Sequence, residues 1–564
     1  MVKNVDLLHK EASRTITLQR ASLAVASGIL LGISFPPLPF SLAVLVAFMP
    51  LLFLFEHVTG TWRAVRYAYL SFLVFNVLTL YWVGGYLSKG DKFMMLGGLL
   101  LIVGHPFFFL IPVWLYLIVR KRLGLTCALI AFPFLWVGFE YVHSLGEIAF
   151  PWLTLGNTQA LHPSRIQYAE WTGVYGVSFW IIVVNVLFFT LVRLFLTSKE
   201  QGRSFLSIAG LIVSISLLVA VPEWFGSARM ERVKAPLTRQ QVEKKALRVT
   251  LIQPNVDPWE KWENSPSSGF VQLNLLEQMT YRAALRDTLQ LVVWPETAIP
   301  YYILLPQYRW DFNILRAMVD SLDVGLLTGF PDAEFYPDSL HAPPGSKKLS
   351  IGGEWYQSFN GAMLLLPRSL WIQKYGKIIL VPFAERPPYV DIFPFLSSLM
   401  WKMGLGGWNI GRDTTVFRFV PQGWAANDSV RFSTLICYES IYPGFVRNFV
   451  QKGAEFLVVI TNDSWYGKTV GPYQHESFAA FRAIENRRWV ARCANGGISC
   501  FIDPAGTIHS KSELYTQAIV KGFVEPVKVT TFYTKHGDLF SRIATGIGVV
   551  FVIVSFFKKK RETK

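Results

Sequence analysis

Leu289-Gln-Leu-Val-Val-Trp-Pro-Glu296 is the stretch on which the fold turns. Its apolar run ending at Trp294 reads as a strand, and the carboxylate of Glu296 comes just after it. Working outward, Leu247–Gln253 and Val324–Phe330 are further strand-like stretches, separated by amphipathic helical patterns over 268–286 and 308–322. Phe432–Ile436, Phe456–Ile460 and Gly497–Ile502 repeat the strand pattern, with helical stretches at 442–452 and 474–490. Short strands alternating with helices argue for a layered α/β domain with its own core. Cys437 also follows a strand directly, and strand ends are where open α/β sheets place their chemistry.

The rest of the chain has a different solvent. Of 564 residues 52% are hydrophobic and 15% aromatic, and mean hydropathy is +0.34, too apolar for an ordinary soluble protein. Apolar runs of spanning length give about eight candidate helices of roughly 20 residues. About seven precede the α/β block, near 18–35, 40–56, 66–87, 93–119, 122–141, 174–195 and 204–221, and the last lies near 540–557. The formal charge of +16 falls in short clusters between these runs, which does not suit nucleic-acid binding. Lys10, Arg14 and Arg20, then Arg63 and Arg66, then Arg120 to Arg122, then Arg193, Lys199 and Arg203, and finally Lys558 to Arg561 mark every second loop as cytoplasmic. The block from about 222 to 535 then faces outward. The expected organisation is a helical bundle over 1–221, a charged linker over 222–246, a catalytic domain over 247–535, and a C-terminal helix with a basic tail over 536–564.

Three side chains in the outward block form a chemical set. Cys437 lies among polar residues just before a helical stretch, a setting that raises the thiolate fraction, although a thiol on an apolar strand is more often a small buried hydrophobe. Glu296 reads either as a helix-start carboxylate or as a general base. Lys377 reads either as a solvated strand-edge lysine or, in a dry site, as a fixed positive charge for an oxyanion. Cys127 falls in a span, and Cys493 and Cys500 read as buried thiols or a disulfide. The histidines form no ligand cluster, Gly404-Leu-Gly-Gly lacks a dinucleotide-loop setting, and neither a metal nor a cofactor is implied.

Together these stretches resemble the nitrilase superfamily and, within it, the bacterial apolipoprotein N-acyltransferases. The resemblance rests on Trp294-Pro-Glu-Thr-Ala, on Tyr375-Gly-Lys-Ile-Ile-Leu-Val-Pro-Phe-Ala-Glu385, and on Ile436-Cys-Tyr-Glu439. Thr461-Asn-Asp-Ser-Trp-Tyr-Gly467, Gly471-Pro-Tyr-Gln-His475, Arg492-Cys-Ala-Asn-Gly-Gly497, Phe150-Pro-Trp-Leu and Gly173-Val-Tyr-Gly-Val-Ser-Phe179 extend it over nearly the whole chain. It implies an αββα sandwich joined to a polytopic helical bundle in the bacterial inner membrane, with the sandwich in the periplasm. It also implies a catalytic triad of Glu296, Lys377 and Cys437, supported by Glu385, Tyr438 and Glu439, with Trp262 near the acyl chain.

The activity implied is ping-pong transfer of an acyl group from a phospholipid, phosphatidylethanolamine by analogy, through a Cys437 thioester. The acceptor would be the α-amine of a lipoprotein's diacylglyceryl-cysteine, and a monomer suffices. The apolar segment Ile392–Trp408 reads as a packed core piece, a short helix capping the site, or a mobile lid that dips into the outer leaflet and admits acyl chains, with Trp401 as a substrate-binding candidate. Two other functions compete: a membrane-tethered amidase acting on small amides, and an inactive nitrilase-like scaffold.

Overall fold

The computed structural model describes residues 2–85, 92–201, 205–234, 246–262, 266–349, 352–393 and 407–558. Two compact units divide the chain, one made of Met1–Ser144, Phe150–Arg229 and Asp538–Lys564, the other of Leu145–Ala149 and Met230–Gly537.

The first unit is helical. Among the described residues, seven helices are long and apolar enough to cross a membrane, over Thr15–Ile33, Thr61–Gly84, Met94–Leu123, Leu125–His143, Ala169–Thr197, Phe205–Lys234 and Leu539–Phe557. The chain is therefore a multi-pass membrane protein. The run expected to span at 40–56 does not form one helix. It makes a 3-10 turn at Ser41–Val46 and then a nine-residue helix, Met49–His57. Such a helix rises about 14 Å, half of a hydrocarbon core of about 30 Å. The start of the expected linker also differs, because the helix from Phe205 runs through Pro222 to Lys234. Two ion pairs tie helices of the unit together: the Arg229 guanidinium grips both oxygens of Glu170 at 2.8 and 2.9 Å, and Arg193 reaches Glu56 at 2.6 Å.

The second unit is built on two sheets. The first runs β13-β1-β2-β3-β5-β4, with β6 added to β5. Its strands are β1 Leu247–Gln253, β2 Leu291–Val293, β3 Gly325–Tyr336, β4 Lys347–Lys348, β5 Trp355–Leu365, β6 Gln373–Gly376 and β13 Ala518–Val524. The second runs β12-β11-β10-β9-β8-β7, from β7 Phe417–Phe419, β8 Val430–Ile436, β9 Phe456–Thr461, β10 Val490–Ala494, β11 Cys500–Ile502 and β12 Ile508–His509. In each sheet the central three strands are parallel, with helices in the crossovers.

Period-two alternation explains how the layers stack. Val249, Leu251, Leu291, Val293 and Leu327 face the second sheet and share a core with Phe432, Phe456, Val458 and Ile460. The intervening Ile252, Val292, Trp294 and Leu326 face outward, under the helices Pro266–Ala284 and Arg309–Leu322. On the far side, Val446, Phe449, Ala480 and Ala483 of the helices Pro443–Gln451 and Gly471–Asn486 close over the second sheet. Both faces of the central strands are buried in both sheets, and each fully buried aliphatic side chain contributes about 1.5–3 kcal/mol. The result is an αββα nitrilase-like sandwich.

All four cysteines are free. Register forbids the Cys493–Cys500 disulfide, since Cys500 lies opposite Arg492 and the Cys493 side chain projects from the other face of the sheet. Trp401 and most of the apolar segment 392–408 lie outside the described residues, as does the Trp262 side chain. The Trp262 backbone closes the 3-10 turn Glu260–Trp262.

Candidate active site

Three chain segments converge on one buried cluster of charge. Glu296 follows β2, where Trp294 N–H donates to Leu327 O at 2.9 Å and Gly329 N–H to Pro295 O at 3.2 Å. A Cβ at Gly329 would come within 2.5 Å of Thr297 N, so this close crossing requires glycine. Thr297 itself takes a positive φ of 45°, which turns the chain sharply away and leaves the Glu296 carboxylate at the strand end.

That carboxylate accepts three hydrogen bonds. Asn360 Nδ2 donates to Oε1 at 2.8 Å, Lys377 Nζ to the same oxygen at 3.4 Å, and the backbone N–H of Asn462 to Oε2 at 3.0 Å. Lys377 sits just past β6, buried, and donates at 2.9 Å to Glu385 Oε1. Glu385 Oε1 also accepts from Asn360 Nδ2 at 3.2 Å, and Oε2 from Val381 N–H at 2.7 Å. One cation thus serves two carboxylates, and one amide on β5 bridges them. Burial pulls the Lys377 ammonium down, yet Glu385 and Glu296 together hold it above its ordinary value. Below the pair, Lys261 donates to Glu296 O at 3.0 Å and to Thr297 Oγ1 at 2.7 Å, clamping the turn. Burial brings this second lysine down to about 7 despite the nearby Glu296 charge.

Cys437 directly follows β8 with a positive φ of 54°, a strained conformation that lifts a nucleophile out of a strand. Burial and then the Glu296 charge push its thiol up, with Lys377 pulling the other way. Glu296, Lys377 and Cys437 therefore lie within electrostatic reach of one another. Glu439 holds the Cys437 and Lys377 segments together. Its Oε2 accepts from Ile436 N–H at 2.8 Å, and its Oε1 from Tyr375 Oη at 2.7 Å, Ile378 N–H at 2.7 Å and Ile379 N–H at 3.2 Å. Burial pushes this carboxyl up to about 7. Tyr438 is also buried, and its hydroxyl donates to Ala149 O at 3.0 Å, away from the charged cluster.

Four residues of this site carry no assigned role in the sequence, although Asp463 and His475 fall in stretches that carry the resemblance. Asn360 and Lys261 are two of them. The others are Asp463 and His475, whose donor atoms lie within 4.8 Å of each other and of the Cys437 sulfur. Asp463 is already spent: Arg492 donates to its Oδ2 at 2.7 Å, Thr461 and His475 reach Oδ1 at 3.0 and 2.9 Å, and Arg492 with His475 holds it well below the carboxylate range despite burial. His475 Nε2 in turn lies 2.9 Å from Ser440 Oγ. This chain of contacts fixes the loop that carries Cys437 rather than offering free metal ligands.

Comparison with known proteins agrees with this architecture. Residues 27–187 match the apolipoprotein N-acyltransferase N-terminal domain, and residues 248–530 match carbon-nitrogen hydrolase. Apolipoprotein N-acyltransferase of Chlorobaculum tepidum is 36% identical over 95% of this chain and 97% of its own length. Apolipoprotein N-acyltransferase of Geobacter metallireducens is 32% identical over 95% of each. Among solved structures, Saccharomyces cerevisiae Nit3, of the nitrilase superfamily, is 16% identical, with a TM-score of 0.35 over 57% of this chain and 97% of Nit3.

Proposed function

The chain belongs to the apolipoprotein N-acyltransferase family, and from that premise we propose that it moves a fatty acyl chain from a phospholipid, through a thioester on Cys437, to the α-amine of a lipoprotein's N-terminal diacylglyceryl-cysteine. The observation that carries this reading is the Glu296–Lys377–Glu385 cluster bridged by Asn360, with its charges acting on the Cys437 thiol.

A thiol pushed up by burial is protonated at rest and needs a base at the moment of attack. Glu296 takes that proton as sulfur adds to the ester carbonyl of the lipid. The oxygen that becomes negative meets the Lys377 ammonium, which its two carboxylates keep charged. Collapse of the tetrahedral intermediate breaks the C–O bond. The lysophospholipid leaves with the proton from Glu296, and the acyl group stays on sulfur. The acceptor amine then attacks the thioester, Glu296 takes its proton, and collapse returns the thiol and releases an amide. Every group in these steps is a side chain of one chain, so a monomer without a cofactor suffices.

Water competes with the amine for the thioester, which explains a nitrilase-like domain in a chain with seven candidate spans. The basic loops Arg63–Arg66, Arg120–Arg122 and Arg193–Arg203 orient the chain with the catalytic unit on the outer, periplasmic side of the inner membrane.

Intact-mass spectrometry after mixing the full chain with phospholipid tests the reading. One acyl mass is expected, mapped to Cys437. Glu296→Gln keeps the shape of the base and loses its basicity, so loading should slow by about 10²–10⁴. Loading at the wild-type rate in Glu296→Gln would remove that residue from the role of base. An enzyme restricted to small amides would give no adduct from phospholipid at all.

A further inference from the structure

Within the second unit a pocket of about 110 Å³ opens beside Lys377, lined on one side by the two residues that follow it, Ile378 and Ile379. Its wall is apolar apart from two charged side chains, Arg386 and Glu147, which bring opposite signs. Arg386 is held without being saturated. Nη2 donates to Asp391 Oδ1 at 2.6 Å and Nη1 reaches Trp408 O at 3.5 Å, while the buried Nε has no hydrogen-bond partner among the described residues. The side chain is only 10% exposed, so this unmatched N–H is costly as it stands.

The surrounding charges balance. Lys347 lies close enough to Arg386 to be held below its ordinary value, first by burial and then by that charge, so two cations stand against the carboxylates of Asp391 and Glu147, and a ligand of no net charge keeps that balance. Glu147 is fixed by Tyr389 N–H, which donates to its Oε2 at 2.8 Å. Gly146 beside it has φ 86°, and a Cβ there would meet Tyr389 Oη at 2.9 Å, so the glycine lets this carboxylate approach.

We propose that this pocket reads the head of the donor lipid as a zwitterion, with Arg386 taking the phosphate through its spare N–H and Glu147 taking the ammonium. The assignment rests on the acyl-transfer reading above. A phosphodiester accepts several charge-assisted hydrogen bonds, and arginine donates in a matching plane. The apolar wall from Ile378 to Pro382, with Ile410, covers the glycerol side of the same head group. Seated there, the lipid brings its ester carbonyls to the segment that begins at Lys377. Arg386 and Glu147 are thus positioning and specificity residues of the first half-reaction.

Acyl loading of Cys437 in the full chain tests the proposal with three donors: phosphatidylethanolamine, phosphatidylglycerol and phosphate-free p-nitrophenyl palmitate. The readout is the ratio of loading rates between donors. Arg386→Gln should lower the ratio of phosphatidylethanolamine to p-nitrophenyl palmitate by about tenfold, and Arg386→Lys should restore part of it. Glu147→Gln should lower the ratio of phosphatidylethanolamine to phosphatidylglycerol by about threefold. A variant that only loosens the fold slows all donors alike, and unchanged ratios would overturn the proposal. So would normal ratios with slowed amide formation on a diacylglyceryl-cysteine peptide, which would give the pocket to the acceptor. No adduct from any donor in the wild-type chain would strike the acyl-transfer reading itself, and the head-group pocket with it.

Discussion

Cys437→Ala is expected to gain no acyl mass from phospholipid and to form no lipoprotein amide, a loss of at least about 10⁴ in rate. No other thiol can take over. Cys493 donates to Ile252 O and Val293 O at 3.3 and 3.2 Å inside the core between the sheets. Cys500 is buried, and burial, with Glu476 adding to it, pushes its thiol up to about 12. Cys127 lies on a helix long and apolar enough to cross a membrane. Only Cys437 combines a strand-end position, partial exposure and the charges of Glu296 and Lys377. Peptide mapping of the adduct checks the claim. An acyl chain found on another residue of Cys437→Ala would refute it.

Lys377→Met should cost about 10³ or more in loading rate, because it removes the oxyanion's cation and disturbs the base together. Glu296 and Glu385 share Asn360 and would face each other as like charges without the ammonium between them. Leaving such a buried pair uncompensated also destabilises the fold by about 3–5 kcal/mol. The double variant Lys377→Met/Glu385→Gln separates the two effects, since it removes the excess charge. Its melting midpoint should recover most of the loss while its loading rate stays low. Recovery of both would make Lys377 a structural residue only. Lys377→Arg should rescue little, because a planar guanidinium does not fit a site shaped around a compact ammonium.

Local pattern explains what the sequence made legible. Leu291–Val293 is apolar throughout and Phe432–Ile436 is buried on both faces, because each lies between another sheet and a helix layer, so their ends, and with them Glu296 and Cys437, could be located. The apolar run after Lys377 is harder to read, because it looks like a strand and is a loop. Its N–H groups at Ile378, Ile379 and Val381 are spent on Glu439 and Glu385 rather than on a neighbouring strand. β5 hides for the opposite reason. Gln357, Ser358 and Asn360 interrupt its apolar pattern, and Asn360 is polar because it bridges two carboxylates from segments far away in the chain. No local signal reports such a partner. The same holds for Lys261, whose ligands lie 35 and 36 residues on. In the helical unit, hydropathy found the apolar segment at 40–56 and could not tell that a 3-10 turn takes up its first third.

The most direct measurement chases isolated acyl-enzyme with a peptide that begins in diacylglyceryl-cysteine, following both masses in time. The account predicts that the acyl chain leaves Cys437 one for one with amide appearing on the peptide, and that without peptide it stays on the enzyme much longer. Release as free fatty acid at the same rate with and without the peptide would contradict it.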